Sequence, residues 1–197
     1  MILGLTGAFG GGKSTVLEFF QNKGWMIFDA DRACHELYDS KNEKLIETVT
    51  VLFGAQAIAA DRSIDRKVIA QEAFAHPEKM KALTAVLYPL LQQEMTGRIS
   101  EYRKNSVNAV FELPLLYEAD YEKLFDTVLA IWTDPELRRE RLKKRNFDAG
   151  EMARRDARQL PPEVKLEKAG FAVVNNGSPE MLHAQLERLL QVWEKKY

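Results

Sequence analysis

The stretch Gly7-Ala8-Phe9-Gly10-Gly11-Gly12-Lys13-Ser14 constrains this chain more than any other feature. It satisfies the pattern G-x-x-x-x-G-K-[ST], a phosphate loop. Glycines let backbone N–H groups converge on phosphate oxygens with no side chain in the way. The helix that starts near Lys13 aims its positive end at the same anion. Lys13 is expected to reach the β and γ phosphates, and the Ser14 hydroxyl to ligate Mg²⁺. Such a loop belongs between a strand and a helix, and both are predicted here. Met1 to Thr6 is a short apolar run, as in a strand buried on both faces. From Thr15 to Lys23, Val16, Leu17, Phe19 and Phe20 form a helical stripe, and Gly24 suits its stop. The motif specifies a nucleoside triphosphate and leaves open what is done with it.

The alternation continues along the chain. Trp25 to Phe28 reads as a second strand, followed by Asp29-Ala30-Asp31. Val107 to Leu113 and Thr127 to Trp132 read as two more strands, Ala172 to Val174 as a weak last one, and Met181 to Tyr197 as a terminal helix. Pro135 suits a helix N-terminus. Strands alternating with helices predict an α/β fold with a parallel sheet. From Arg32 to about Arg103 no strand is evident. Breaks are expected at Ser40, Gly54, Asp61-Arg62-Ser63 and Pro77, and Pro89 is expected to kink or divide its helix. Residues 32–105 thus read as a helical insertion in a core formed by 1–31 and 106–197, which suits a chain of 197 residues.

Composition narrows the partners. The net charge is −1, so no global field draws the chain to nucleic acid or an anionic membrane. Cys34 is the only cysteine, which excludes an internal disulfide and a Cys-rich zinc site and fits a reducing cytosol. No apolar run approaches the ~18 residues of a membrane span, and the opening MILGLTG lacks a basic n-region. A cytoplasmic protein is expected.

Other motifs then sort the phosphate-loop classes. A signalling GTPase needs N-K-x-D and D-x-x-G, and neither is present. Motor and transporter ATPases end an apolar strand in a metal-holding Asp. The comparable run Val110-Phe111 ends here in Glu112. A small-molecule kinase is therefore the leading class. Such an enzyme needs a base for the acceptor hydroxyl and cations for the moving phosphoryl group. Asp29 and Asp31 follow the second strand, whose C-terminal end faces the ligand crevice in open α/β sheets. Either could instead cap a helix. His35 lies four residues after Asp31 and could share its helix face, although an exposed or packed histidine is the simpler reading. Arg138 to Arg158 holds nine basic residues against four acidic ones. A solvated helix face is one reading of that run. A mobile basic lid, about 146–163, that closes over triphosphate is the other, supported by a break over Phe147 to Gly150 and a stop at Pro161-Pro162.

With these parts in order, the chain resembles the dephospho-coenzyme A kinases. The resemblance runs nearly end to end. It rests on Gly4-Leu5-Thr6-Gly7 leading into Gly12-Lys13-Ser14-Thr15, then Asp29-Ala30-Asp31, Ile64-Asp65-Arg66, Phe74 and Leu87-Tyr88-Pro89-Leu90. Pro114-Leu115-Leu116-Tyr117-Glu118 follows, then Arg141-Leu142 with Arg145, Arg155, Gln159-Leu160-Pro161 and Asn175-Asn176-Gly177-Ser178. The resemblance implies a parallel-sheet phosphate-loop kinase core, a helical acceptor-binding insertion and a basic lid. It implies transfer of the γ-phosphate of ATP, with Mg²⁺, to the ribose 3′-hydroxyl of dephospho-coenzyme A. Residues 7–15, including Thr15, would hold ATP, helped by Arg141 and Arg145, with Asn175-Asn176-Gly177 against the adenine. Asp31 would be the base, and Lys13 and Arg141 would serve transfer. Arg66, Tyr88, Pro114, Leu115 and Leu116 would line the acceptor site. The chain departs from the family's usual pattern at Ala8-Phe9 (Gly-Ile), Tyr88 (His), Glu112 (Asp) and Val174 (Asp). A different small alcohol as acceptor, such as a nucleoside or nucleotide, and a nucleotide-binding module without transfer remain the alternatives.

Overall fold

The computed structural model describes residues 1–196, with the side chains of all of these except 73–75, 77, 149 and 194–196. Phe74, one of the motif residues, thus has a side chain outside the described ones. Strands β1 (Ile2–Gly7), β2 (Met26–Asp29), β3 (Ala109–Glu112), β4 (Thr127–Trp132) and β5 (Phe171–Val174) form one sheet. Their order is β2-β3-β1-β4-β5, and every pairing is parallel. The expected strands are all present, with ends shifted by a residue or two; the fourth coincides. All C-terminal strand ends therefore share one edge. The chain crosses from the β3 side of β1 to the β4 side there, the switch point where such sheets bind ligands.

The chain divides into two compact units: Met1–Asp29 with Ile99–Tyr197, and Ala30–Arg98. In the first, helix α1 (Lys13–Asn22) covers one sheet face. Val16, Phe19 and Phe20 from α1 pack with Leu3, Leu5, Val110, Leu129 and Ile131 from the strands, and with Leu182, Leu186 and Trp193 of the C-terminal helix. On the other face Phe28 stacks on Phe111, with ring centroids 5.0 Å apart, and Phe111 meets Phe125 at 5.8 Å.

In the second unit, helices α2 (Ala30–Asp39), α3 (Glu43–Phe53) and α4 (Arg66–Ala75) and the first part of α5 (Pro77–Lys104) enclose Leu45, Val49, Phe53, Ile64, Ile69, Leu83 and Leu87. The motif Ile64-Asp65-Arg66 has a structural reading here. Ile64 is core, and Asp65 caps α4 by accepting the N–H groups of Lys67 (2.8 Å) and Val68 (3.4 Å). Pro89 does not divide its helix, since α5 runs through it. Both Pro89 and Ala85, whose carbonyl loses its N–H partner, are exposed, so water can take up the orphaned acceptor.

Four more helices complete the first unit: α6 (Pro135–Lys144), α7 (Ala149–Asp156), α8 (Pro162–Lys168) and α9 (Pro179–Lys196). The break between α6 and α7 falls earlier than expected. Asp148 caps α7 by accepting the Glu151 N–H at 2.6 Å, which draws Gly150 into the first helical turn. Among the described residues, no helix is long and apolar enough to cross a membrane.

Candidate active site

The phosphate loop runs from the end of β1 into α1 and is tied down from several directions. Gly12, at the helix N-cap, has φ +96°, and a Cβ there would strike the Asn175 amide. Gly10 has φ +77°, and a Cβ would sit 2.9 Å from Leu142 of α6. These two positions require glycine for both conformation and close approach. The Gly11 carbonyl accepts from Thr133 Oγ1 at 2.8 Å and from Asn175 Nδ2 at 3.0 Å, just beyond the ends of β4 and β5. These two bonds fix the loop from the Gly11 carbonyl, and the Gly11 N–H turns back to the Ala8 carbonyl at 3.1 Å.

Lys13 is held inside this frame. Its Nζ donates to the carbonyls of Gly7 (3.0 Å) and Ala8 (3.3 Å) and pairs with Glu112 Oε1 at 3.4 Å. Glu112 closes β3, in register with Leu5 of β1 and Asp29 of β2. The Lys13 and Glu112 side chains are only 12% and 8% exposed. Ser14, next in α1, is exposed.

Arg138 of α6 is the most buried member of the basic run, at 4% exposure. Its Nη1 donates to the Phe9 carbonyl at 3.1 Å, and its two Nη atoms grip both oxygens of Asp156 on α7 at 3.1 and 2.9 Å. A bidentate pair of this kind fixes orientation as well as distance. Phe9 is edge-on to Phe147, with centroids 5.2 Å apart, and carries the Arg155 guanidinium 4.2 Å over its ring. Arg145, just past α6, lies 5.6 Å over the Phe147 ring. Arg141 is half-buried on α6. The run is therefore partly framework: Arg138 braces the loop, while Arg145 is exposed.

Asn175 and Asn176 are occupied by the framework. Asn175 is 7% exposed and holds Gly11, and Asn176 Oδ1 accepts the Asp134 N–H at 2.9 Å. Asp134 in turn caps α6. Thr133 and Arg138 belong to the loop's supporting set, and no local motif singles them out.

The turn Pro114 to Glu118 follows β3 in the first unit. Leu116 is fully buried, and Leu115 is half-buried. Burial pushes the Tyr117 hydroxyl up to about 12, with Glu122 adding to it. Asp31, Arg66 and Tyr88 belong to the second unit. Asp31 stands in the first turn of α2, two residues past the end of β2, and is exposed, as is His35 on the next turn. Arg66 opens α4, and Tyr88 is 47% exposed on α5. Arg66 and Tyr88 both act electrostatically on Tyr38, whose hydroxyl burial pushes up to about 12. That cluster brings together two of the predicted residues and adds Tyr38.

A parallel sheet with this loop at its switch point, flanked by arginine-bearing helices, defines a phosphate-loop kinase. A family model described as "CoaE: Dephospho-CoA kinase" matches residues 1–180. The dephospho-CoA kinase of Enterococcus faecalis is 33% identical over 96% of each chain. A crystal structure from Thermus thermophilus superposes with a TM-score of 0.77 at 30% identity, covering 97% of this chain and 96% of that one. The dephospho-CoA kinase of Campylobacter jejuni shares the fold, with a TM-score of 0.78 at 24% identity over 99% and 98% of the chains. This chain belongs to the dephospho-CoA kinase family.

Proposed function

We propose that this protein phosphorylates the ribose 3′-hydroxyl of dephospho-coenzyme A with ATP, giving coenzyme A and ADP, in the cytoplasm. The observation that carries the reading is the held phosphate loop within a chain that matches the family over residues 1–180. Residues 7–15 bind the triphosphate through backbone N–H groups. Lys13 exchanges its carbonyl partners for phosphate oxygens, and Arg141 and Arg145 add positive charge from the lid, residues 146–163 with the helix before it. Gly177 and its neighbours pack against the adenine, and Asn175 contributes by holding Gly11.

The donor set suits Mg²⁺. This ion typically takes one or two protein oxygens, with water and phosphates filling its shell. The Ser14 hydroxyl and the Glu112 carboxylate, 3.4 Å from Lys13 Nζ, are donors of that kind. Bound with the nucleotide, Mg²⁺ would neutralise phosphate charge there.

Asp31 is the base. As the 3′-oxygen bonds to the γ-phosphorus, Asp31 takes the hydroxyl proton and the bond from phosphorus to the β-bridging oxygen breaks, releasing ADP. Arg66 and Tyr88 in the helical insertion, and Pro114 and Leu115 in the core, hold the acceptor, while the fully buried Leu116 anchors that turn on the sheet. An ADP-release assay with and without dephospho-coenzyme A tests the reading. ADP release should depend on that acceptor and exceed release with nucleosides or nucleotides in its place. A nucleoside working better would reassign the acceptor. Tight ATP binding with no acceptor-dependent release would identify a binding module instead.

A further inference from the structure

Lys165 of α8 is only 1% exposed, the most deeply buried cation among the described residues. Burying an ammonium is expensive unless each of its three N–H donors finds an acceptor. Here each does. Lys165 Nζ donates to the Pro114 carbonyl at 2.5 Å and to Gln159 Oε1 at 3.0 Å, and pairs with Glu118 Oε1 at 3.0 Å. Burial pushes Lys165 down, against the hydrogen bond and charge of Glu118, and Lys13 is near enough to push in the same direction as burial.

These partners come from two separate pieces of chain. Pro114 and Glu118 bound the turn after β3. Gln159 belongs to the connection from α7 to α8, and the Leu160 N–H there also donates to Glu118 Oε1 at 2.6 Å. A second contact links the same parts: Lys168 of α8 lies 5.3 Å over the Tyr117 ring. On its far side α8 is fastened to β4, where the Trp132 indole N–H donates to Glu163 at 3.1 Å. An apolar side chain of the same length could fill this volume at lower desolvation cost. What an ammonium adds is direction, because it dictates where the Pro114 carbonyl points and holds residues 159–160 against Glu118.

We propose that Lys165 is a positioning residue that ties the acceptor-side turn Pro114–Glu118 to the C-terminal root of the basic lid. The proposal rests on the roles assigned above to that turn and to residues 146–163. In this arrangement the lid root keeps a fixed relation to the turn that holds the acceptor, so an acceptor seated on the turn lies at a set place beside the lid. Loosening the tie misplaces the acceptor while leaving the phosphate loop intact.

The test uses the full chain. Steady-state kcat and KM for each substrate, acceptor-independent ADP release and Tm are measured for wild type, Lys165→Met and the double variant Lys165→Met/Glu118→Gln, whose amide oxygen still accepts the Leu160 N–H. Lys165→Met should raise KM for dephospho-coenzyme A about 10-fold, keep KM for ATP within about threefold, and increase the acceptor-independent share of ADP release. The double variant removes both buried charges and should recover Tm without recovering that KM. A purely structural lysine gives the opposite, with KM recovering alongside Tm. That result, or a normal KM in a folded Lys165→Met, overturns the proposal. Should Lys165→Met not fold, Gln159→Leu removes one acceptor and should raise the same KM about threefold; no change there overturns it as well. A wild-type protein without acceptor-dependent ADP release would overturn the functional reading first, a result distinct from an active wild type with a normal variant.

Discussion

The phosphate loop and the second unit carry their chemistry in opposite ways. In the loop, the charged and turning residues are buried and cross-tied: Lys13 to Glu112, Gly11 to Thr133 and Asn175, and Phe9 to Arg138. In the unit Ala30–Arg98, Asp31, Arg66 and Tyr88 stand exposed on helices whose core lies elsewhere. The nucleotide side is preorganised at the expense of buried polar groups, each of which must keep its partner. In the second unit, these three exposed side chains are expected to be exchangeable with little effect on folding. Loop substitutions should therefore damage stability and catalysis together, whereas those in the second unit should separate the two.

Lys13→Ala should have the largest effect, lowering kcat by about 10³-fold or more. It should also lower Tm, because the buried ion pair with Glu112 is lost. Adding Glu112→Gln should restore Tm and leave turnover low. A Lys13→Ala protein with normal kcat would break the comparison at its root. Asp31→Asn comes next, with kcat down about 10²-fold, an unchanged Tm and unchanged ATP binding by titration. Normal turnover would remove Asp31 as the base, and a large fall in Tm would show the acceptor side to be framework too. Thr133→Val, on the loop side, should cost about 1 kcal/mol in denaturant unfolding and raise KM for ATP about threefold. The smallest effect is expected from Tyr88→His on the exposed side, a change of about twofold in KM for dephospho-coenzyme A with Tm unmoved.

The parts legible in the sequence are those set by local chemistry. The fourth strand reads to the residue because Asp126 and Thr133-Asp134 bound an unbroken apolar run. The loop reads outright because its glycines and lysine are contiguous. Pro89 does not divide its helix: the carbonyl it orphans belongs to the exposed Ala85, where water can replace the lost donor. Gly150 misleads because Asp148 supplies a cap that outweighs the glycine's reluctance to be helical. Thr133 and Lys165 carry no readable signal, and Arg138 reads only as one member of a basic run, with nothing to mark its bracing role. Their partners lie 122, 51 and 129 residues away, and only the sheet brings them together. A motif reports which residues are chemically suited to a task, while the sheet decides which of them are spent on holding one another.

The bond between Lys13 and Glu112 also bears on which anions the loop admits. The ammonium is already neutralised by an internal carboxylate, so an arriving ligand swaps partners with it instead of stripping its water. A polyphosphate chain engages the row of amides as well, and can displace the carboxylate while its far end is already anchored. The cradle therefore suits a ligand long enough to touch the loop and the lysine at once.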